Sequence, residues 1–489
     1  MRAAEAAATR QIDRRLVAGV AWTAGGKWAS QLISWAATLV IARLLSPADF
    51  GLMNMANIYV GLAAMTIEFG MGTAIVMLRE LTAHQMEQIN TLSVMLGLCG
   101  VVVSAAAARP LAAFWGAPEL APLILVLSMV FLIGSVRVVP AALYEREMGF
   151  RELSILETVQ SLVQSAATLA LALAGAGYWA LAWGHLAGYL AASVLVAVLR
   201  PCRFARPRYA AVAPVLRFSW HVLGARLSWY GFTNADFFVA GKTLGAASLG
   251  AYQMARDFAT APILKVTTLV YRVTPSLFSA VKSDLPAIHR YLLSVSEVMT
   301  MVGCPAAFGL SAVAEEFVRV ALGEKWMDAV APLELLAVYA AFRSVAVLFP
   351  QVLMARDETR FVMWNSFGNF VALSAGFVIG SRWGTAGIAM AWIVIYPWFF
   401  FNVLFKTLSV IDLPARRYFS AVGPPVFGSL VMAAGVWAIK PLLVPFSLPV
   451  RLGIEVLAGI VLYGAFLAVA VPRRLRACLN FTRGLGEAR

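Results

Sequence analysis

Long apolar runs separated by short polar connectors dominate the sequence. Each run holds about 20 residues, which is the length an α-helix needs to cross a bilayer. Continuous apolar runs predict helices, whereas the strands of a membrane barrel alternate polar and apolar residues. Fourteen such helices are predicted, at 18–43, 48–69, 90–108, 120–143, 153–175, 178–199, 220–241, 249–278, 291–312, 331–353, 361–380, 385–404, 419–439 and 452–471. The predicted fold is therefore an all-α polytopic membrane protein.

The two halves of the chain repeat one another. Residues 45–56 match 244–255 at a constant offset of 199, and residues 180–183 match 389–392 at an offset of 209. Each copy holds six predicted helices, an even number, so the copies share one orientation and form a parallel repeat. We expect two six-helix lobes around a central cavity, followed by a helix pair. The predicted domains are an N-lobe over 1–208, a C-lobe over 209–417, and helices 13 and 14 with a basic tail over 418–489.

Composition and charge agree with a membrane protein. Hydrophobic residues make up 61% of the chain and charged residues 13%, whereas a soluble protein carries about a quarter charged residues. The net charge of +14 could suggest nucleic acid, but basic residues of membrane proteins collect on cytoplasmic connectors. The two tails and the connectors after even-numbered helices hold 24 basic residues, and the remaining connectors, together with Arg43 at the end of the first helix, hold 8. This bias predicts that both termini lie in the cytoplasm, and it accounts for the net charge without a nucleic-acid partner.

Several motifs of enzymes and metal proteins are missing from the sequence. The four cysteines form no CxxC pair and the four histidines no HExxH pair, so neither a disulfide nor a metal site is predicted. Residues 240–243 look like the end of a phosphate-binding loop, but Asp236 stands where its first glycine should be. We therefore expect no cofactor, no metal and no ATP hydrolysis by this chain.

Basic residues inside the predicted helices are candidates for substrate binding, because a charge within the bilayer is costly. Lys27 lies on a polar face of the first helix together with Gln31. The offset of 199 places Arg226 at the equivalent point of the seventh helix, on a face that also holds Tyr230. Arg256 lies on the polar face of helix eight. These five residues form the predicted substrate site.

Two acidic residues are candidate ion or charge partners. Asp236 lies within helix seven and Asp257 follows Arg256 directly. A structural interpretation remains open for both, because Arg256 could pair with Asp257 or with Asp236. Lys27 could likewise be a residue whose long side chain reaches the membrane surface.

Four segments together resemble the bacterial polysaccharide-export flippases of the multidrug/oligosaccharidyl-lipid/polysaccharide (MOP) superfamily. Residues 42–51, Ala-Arg-Leu-Leu-Ser-Pro-Ala-Asp-Phe-Gly, look like the signature that closes the first helix of that family. Also similar are residues 178–181, the residues 322–326 before helix ten, and a set around helices seven and eight comprising Asp236, Gly241, Leu249, Gly250 and Tyr252. Family members often carry an arginine at the position of Asp257, and Arg256 takes that place here.

The resemblance implies a substrate and a mechanism. The substrate would be an oligosaccharide unit linked by diphosphate to undecaprenol, moved outward for surface polysaccharide assembly. Membrane lipids, a polysaccharide polymerase and export proteins are the implied partners, and the chain would not be an enzyme. The residues agree with an anionic substrate, since arginine can bind phosphate through a bidentate fork and lysine offers a point charge. Alternating access by the two lobes follows from the repeat.

Two other function classes remain as alternatives. A multidrug cation antiporter of the same fold should show buried carboxylates in its cavity, whereas the polar faces here centre on Lys27, Arg226 and Arg256. A membrane glycan polymerase or acyltransferase should carry an outer catalytic domain. The longest outer connector, around 315–328, is too short for one.

Overall fold

The structure, a computed structural model, describes residues 34–78, 81–280 and 284–470. Every regular element in these ranges is a helix. The α-helices are α1 (Ser34–Leu44), α2 (Pro47–Glu68), α3 (Met71–Met77), α4 (Ala83–Trp115), α5 (Leu120–Arg146), α6 (Phe150–Leu173), α7 (Tyr178–Leu199), α8 (Tyr209–Ala280), α9 (Leu285–Ala312), α10 (Ala314–Phe317), α11 (Val330–Ala346), α12 (Leu348–Ala355), α13 (Thr359–Gly380), α14 (Gly384–Val394), α15 (Tyr396–Val410), α16 (Ala415–Ile439) and α17 (Leu448–Ala470). Short 3₁₀ segments cover Glu324–Ala329, Ser381–Trp383 and Lys440–Leu443, and a π-helical segment covers Val318–Leu322.

Ten stretches of the described chain are helical, long enough and apolar enough to cross a membrane. The longest, Thr359–Val410, covers two of the predicted spans. Helix α8 is not one of these ten stretches, but it covers two further predicted spans. It is broken at Gly245, whose φ of +82° lies in the left-handed region that glycine tolerates. The chain is therefore a multi-pass, all-helical membrane protein. The count of fourteen spans and the repeat remain predictions.

Two of the predicted membrane helices each consist of two consecutive helices in the structure. The helix predicted over 331–353 is divided into α11 and α12, which meet at Val347. The helix predicted over 385–404 is divided into α14 and α15, which meet at Ile395. Proline explains both breaks, because its ring clashes with the carbonyl four residues earlier and it has no N–H to donate. Pro350 and Pro397 stand just after the two breaks.

The chain divides into two compact units, Met1–Gly250 and Ala251–Arg489. In unit 1, α4 packs on α5 and α6 packs on α7. The short helix α3 lies in the core of this unit, where Met71 and Ile75 are fully buried against Ile89 of α4 and Val139 of α5. In unit 2, α9 packs between α11 and α16, around a core that includes Phe278 and Phe349.

Two glycines of unit 1 allow a close backbone contact between α2 and α8. A Cβ on Gly51 would lie 1.7 Å from the carbonyl oxygen of Ala246, and a Cβ on Gly250 would lie 1.9 Å from the carbonyl oxygen of Pro47. Real side chains never approach so closely, so both positions require glycine. The contact joins segments that match one another at the offset of 199.

A buried ionic cluster fastens α17 within unit 2. Glu316, which is buried, pairs with Lys440 and with Arg451, each at 2.7 Å. Arg451 also pairs with Glu455 at 3.0 Å, and Glu455 is fully buried. Buried charges persist only when they are paired, because desolvation penalises a lone charge heavily. The cluster therefore ties the start of α17 to α10 and to the turn at Lys440–Leu443.

Candidate functional site

Unit 1 contains a cavity of about 420 Å³. Its walls come from α2, α3, α4, α5, α6, α7 and α8, and they mix apolar side chains with charged ones. The lining on α5 runs from Val130 to Glu145, which is about 22 Å of helix at the usual rise per residue. The cavity therefore extends toward the end of the unit where α5 gives way to α6. The sequence predicts that this end faces the cytoplasm.

Arg226 lies in the wall of this cavity. Its guanidinium contacts Glu68 at 3.4 Å and donates a hydrogen bond to the hydroxyl of Thr73 at 2.9 Å. Phe69 and Gly70, between α2 and α3, both adopt left-handed backbone conformations, so the chain turns sharply between the residues that hold Arg226. The side chains of Arg226 and Glu68 are 36% and 41% exposed. This ion pair is accessible from the cavity and weaker than a buried one.

A second arginine, Arg137 of α5, lines the same cavity and was missed by the sequence analysis. Its guanidinium donates a hydrogen bond to the amide oxygen of Gln160 at 2.6 Å and lies 5.5 Å from the centre of the Tyr189 ring. An amide oxygen and an aromatic face both attract a cation without neutralising its charge. Neither of these two contacts carries a negative charge that would balance the guanidinium. Its position inside a predicted membrane helix was the signal that could have found it.

The cavity also has carboxylates in its wall. Glu68 is paired with Arg226, and Glu145 lies near the end of α5 with an exposed side chain. Two guanidinium groups and two carboxylates therefore line the same space. Such a site can bind an anion if the anion displaces the carboxylates from the arginines. It can bind a cation through the carboxylates if the arginines keep their present partners.

The other predicted residues of unit 1 are used in packing. The hydroxyl of Tyr230 lies within hydrogen-bond distance of the backbone carbonyls of Asn57 and Ile58, at 3.1 and 3.0 Å. Asp236 is fully buried, and its carboxylate accepts a hydrogen bond from the backbone N–H of Phe237. Tyr230 therefore joins α8 to α2, whereas the hydrogen bond to Asp236 lies within α8 itself. Neither side chain lines the 420 Å³ cavity.

Lys27 and Gln31 lie outside the described residues. Their predicted place on a polar face of the first helix therefore remains a prediction from the sequence. In the described part of that helix, the Thr38 hydroxyl donates to the backbone carbonyl of Ser34.

In unit 2, Arg256 lies against an aromatic cluster. Its guanidinium carbon is 5.7 Å from the centre of the Trp392 ring. The indole N–H of Trp392 donates to the hydroxyl of Tyr252 at 3.1 Å, and both rings are buried. Asp257, the neighbouring predicted residue, has an exposed side chain. The charges of Arg256 and Asp257 interact, and the Asp257 carboxylate also forms a hydrogen bond with the side chain of Gln253.

The aromatic cluster extends beyond Trp392. Tyr339 of α11 packs on Trp392 at a centroid distance of 4.5 Å, and Phe377 of α13 packs on it at 5.1 Å. Tyr396 packs on Tyr339 at 4.9 Å. Edge-to-face and tilted ring pairs of this kind add to the burial energy of the rings. We call Tyr252, Tyr339, Phe377, Trp392 and Tyr396 the aromatic cluster.

The described residues contain no group of three or more histidine, cysteine, aspartate or glutamate side chains that could hold a metal ion. The described residues instead provide charged and aromatic side chains that a ligand could contact. Arginine side chains beside polar and aromatic groups are suited to hold phosphate and sugar groups.

Comparison with known families assigns the chain to a group of proteins. Residues 40–331 match the family described as "Polysaccharide biosynthesis protein". The chain belongs to this family. The match covers more than half of the sequence, and it includes α2 to α10 with the cavity of unit 1.

Three curated proteins of polysaccharide biosynthesis are similar over most of their length. The lipopolysaccharide biosynthesis protein WzxC of Escherichia coli is 26% identical over 78% of this chain and 79% of its own. The teichuronic acid biosynthesis protein TuaB of Bacillus subtilis is 24% identical over 94% and 97%. The succinoglycan biosynthesis transport protein ExoT of Rhizobium meliloti is 26% identical over 85% and 84%.

Solved structures with the same fold come from the MOP superfamily. The lipid II flippase MurJ matches with a TM-score of 0.73 at 14% identity, over 93% of this chain and 99% of its own. A multidrug resistance MATE family transporter matches with a TM-score of 0.58 at 15% identity, over 78% and 96%. The family match confirms the predicted relationship to polysaccharide biosynthesis proteins. The solved structures show that the chain shares the fold of the flippase MurJ and of a MOP-superfamily transporter.

Proposed function

We propose that the protein moves undecaprenyl-diphosphate-linked oligosaccharide units across the bacterial inner membrane for the assembly of a surface polysaccharide. The observation that carries the proposal is the cavity of unit 1, where the guanidinium groups of Arg137 and Arg226 face one space. A diphosphate needs cationic partners, and family membership supports a polysaccharide intermediate as the cargo. Both termini are proposed to lie in the cytoplasm, on the grounds of the basic connectors.

The diphosphate binds by replacing Glu68 at Arg226. Arg226 is held at 3.4 Å by a partly exposed carboxylate, that of Glu68, and such pairs contribute little free energy. A phosphate offers more oxygens and a greater charge, so it competes well for the same fork. Arg137 then supplies a second cation, because its partner Gln160 is neutral and leaves its charge uncompensated. The Tyr189 ring beside Arg137 offers an apolar face to the first sugars.

Further residues predicted from the sequence contribute along the path. We propose Arg256 and Lys27 as additional cations for the head group, with Gln31 and Tyr230 as hydrogen-bonding neighbours. Asp236 and Asp257 are proposed as charge or ion partners. Alternating access moves the bound head group, and the outward movement of an anion is favoured by an inside-negative potential, at about 2.3 kcal/mol per charge for 100 mV.

The proposal is tested in a strain that lacks the gene and is complemented with variants. We expect the parent chain to restore surface polysaccharide, and the Arg137→Gln, Arg226→Gln double variant to leave the lipid-linked oligosaccharide in the cytoplasmic leaflet. Arg382→Gln, an exposed arginine remote in sequence from the cavity, is the matched control and should export normally. Normal export by the double variant at equal membrane level would contradict the proposal.

A second function, export of a cationic amphiphile, is supported by one observation. Glu68 and Glu145 put two carboxylates in the cavity wall, as a cation antiporter would require. The two functions respond in opposite ways to Glu68→Gln. Under the proposed function this variant frees Arg226 and retains glycan export, whereas a cation exporter would lose drug resistance. Drug resistance that depends on Glu68, with no glycan phenotype on deletion of the gene, would favour the second function.

A further inference from the structure

The connector between α7 and α8, residues 200–208, forms no regular secondary structure. It contains no helical residue, and it carries Pro201 and Pro207, which cannot donate backbone hydrogen bonds. Four of its nine residues are arginines: Arg200, Arg203, Arg206 and Arg208. We call residues 200–208 the basic strap.

The backbone of the strap is bound to α4. Three side chains near the start of α4 each form one hydrogen bond with it: Gln88 accepts from the Arg208 N–H at 3.0 Å, Thr91 accepts from the Ala205 N–H at 3.1 Å, and Asn90 donates to the Arg203 carbonyl at 3.3 Å. Gln88 and Asn90 are themselves buried. Burial of these amides makes the hydrogen bonds costly to break. The strap therefore cannot lift off unit 1 freely.

The first arginine of the strap also serves to hold it. Arg200 forms two hydrogen bonds with the carboxylate of Glu147, at 2.6 and 2.5 Å, and its guanidinium lies 5.0 Å from the centre of the Tyr144 ring. This bidentate geometry is the favoured one for arginine and carboxylate. Arg200 is thus committed to the end of α5.

The other side chains of the strap point to the surface. Arg203, Arg206 and Arg208 are exposed, and within the ranges that the structure describes none of them takes part in an ion pair. Phe204 is 61% exposed, and Tyr209, the first residue of α8, is 79% exposed. The bonds that fix the strap use its backbone and Arg200, so they leave three guanidinium groups and two aromatic rings available to a ligand.

The strap lies where membrane helices end. It joins the last residue of α7 to the first of α8 and crosses the start of α4, so it runs at the level of the bilayer surface. Aromatic rings prefer this level, and basic side chains there attract anionic head groups. We propose that the exposed side of the basic strap binds the head groups of anionic phospholipids in the surrounding leaflet. Charge complementarity and the exposed aromatic pair select a lipid over a soluble partner, since rings at the surface gain by entering the interface.

The proposal is independent of the transported substrate, and it is tested by lipid binding alone. The purified protein in detergent is titrated with short-chain phosphatidylglycerol, and with phosphatidylcholine and inorganic phosphate as separate arms. We expect phosphatidylglycerol to bind and raise the melting temperature, with an affinity that falls as salt rises. Phosphatidylcholine and inorganic phosphate should have little effect at the same concentrations.

The variant pair Arg203→Gln, Arg206→Gln tests the assignment to the strap. Each arginine near an anionic membrane surface contributes to the free energy of lipid binding. We therefore expect the double variant to bind phosphatidylglycerol about 30-fold more weakly than the parent. Arg203→Lys, Arg206→Lys should keep most of the affinity, because head groups need only the positive charge. The melting temperature without lipid should not change, since the glutamines leave the backbone bonds intact. The matched control is Arg109→Gln, Arg382→Gln, which removes two exposed charges elsewhere and should keep the parent affinity.

Two outcomes would overturn the proposal. The first is an unchanged affinity for phosphatidylglycerol in the strap glutamine variant, or an equal loss in the control variant. The second is an unchanged lipid affinity accompanied by the loss of an acidic protein that co-purifies with the parent chain. In that case the strap would be a protein docking site.

Discussion

The cavity of unit 1 and the aromatic cluster of unit 2 both surround arginines placed within the membrane helices, but they treat them differently. In the cavity, Arg226 is held by an accessible carboxylate at 3.4 Å, and Arg137 by a neutral amide. In the cluster, Arg256 lies over Trp392, among rings that are largely buried. One region is an open space with exchangeable partners, and the other is a packed core.

The difference separates two uses of a membrane arginine. A guanidinium in the wall of a cavity can exchange its partner for a ligand, and the free energy of binding then depends on charge. A guanidinium on an aromatic face is held by packing and by the ring quadrupole, and its removal acts first on the fold. Substitutions in the two regions should therefore separate transport from stability.

The largest effect is expected from charge reversal in the cavity. Arg226→Glu would place a second carboxylate beside Glu68 and repel a diphosphate. We expect export to fall at least about 100-fold, in line with the cost of leaving a partly buried charge without its partner. The measurement is surface polysaccharide in the complemented deletion strain, normalised to protein in the membrane. Arg226→Lys is the control and should retain part of the export. Full export by Arg226→Glu would remove the distinction between the regions.

The next effect concerns the stability of the aromatic cluster. Trp392→Ala removes a buried ring that packs on Tyr339 and Phe377 and donates to Tyr252. We expect a loss of about 3–5 kcal/mol in the free energy of unfolding, seen as a lower melting temperature in detergent. Trp398→Ala is a matched control, because that side chain is 77% exposed, and it should change the melting temperature little. An equal response of both variants would show that the cluster is not a packed core.

A smaller effect at Arg256 tests whether one residue serves both purposes. Arg256→Gln should lower the free energy of unfolding by about 1 kcal/mol through loss of the contact with Trp392. If Arg256 also binds the head group, export should fall by about tenfold, which is the weight of a charged hydrogen bond. Arg256→Lys should then restore part of the export, since a charge without the fork remains. Export that follows protein level alone would assign Arg256 to the core only.

The smallest effect is expected at the edge of unit 1, outside both regions. The hydrogen bonds from Arg200 hold the pKa of Glu147 below its ordinary value. A carboxylate with a lowered pKa stabilises the fold above its unfolded pKa, and this contribution disappears as the pH falls through the folded pKa. The melting temperature of the parent should thus fall slightly more than that of Glu147→Gln between pH 6 and about pH 3. Parallel curves for the two proteins would leave the pair without measurable effect.

Sequence reasoning reached Arg226 but not Arg137, for a physical reason. Arg226 stands at a fixed offset from Lys27 and shares a helical face with other polar residues, so periodicity marks it. The partners of Arg137 are Gln160 on α6 and Tyr189 on α7, and no spacing along one helix connects them. The helical class follows from apolar runs alone, whereas cavity walls depend on which helices become neighbours.

The ionic cluster of unit 2 illustrates the same limit. Glu455 looks like a residue near a helix end, and Lys440 and Arg451 look like connector charges. Lys440 and Arg451 share the partner Glu316, which lies more than a hundred residues earlier in the sequence. This pairing depends on tertiary packing. Proline breaks, by contrast, are readable in principle: Pro350 and Pro397 stand within the predicted spans, and each interrupts its helix locally.

The glycine contact between α2 and α8 has a mechanical consequence. Because a Cβ cannot fit at Gly51 or at Gly250, the two segments touch through their main chains, without side chains that interlock. Interdigitated side chains resist twisting, since they must leave one set of grooves before they enter another. A contact between main chains alone has no interlocking side chains to separate. The two helices can therefore change their crossing angle at this point while the distance between their axes stays constant.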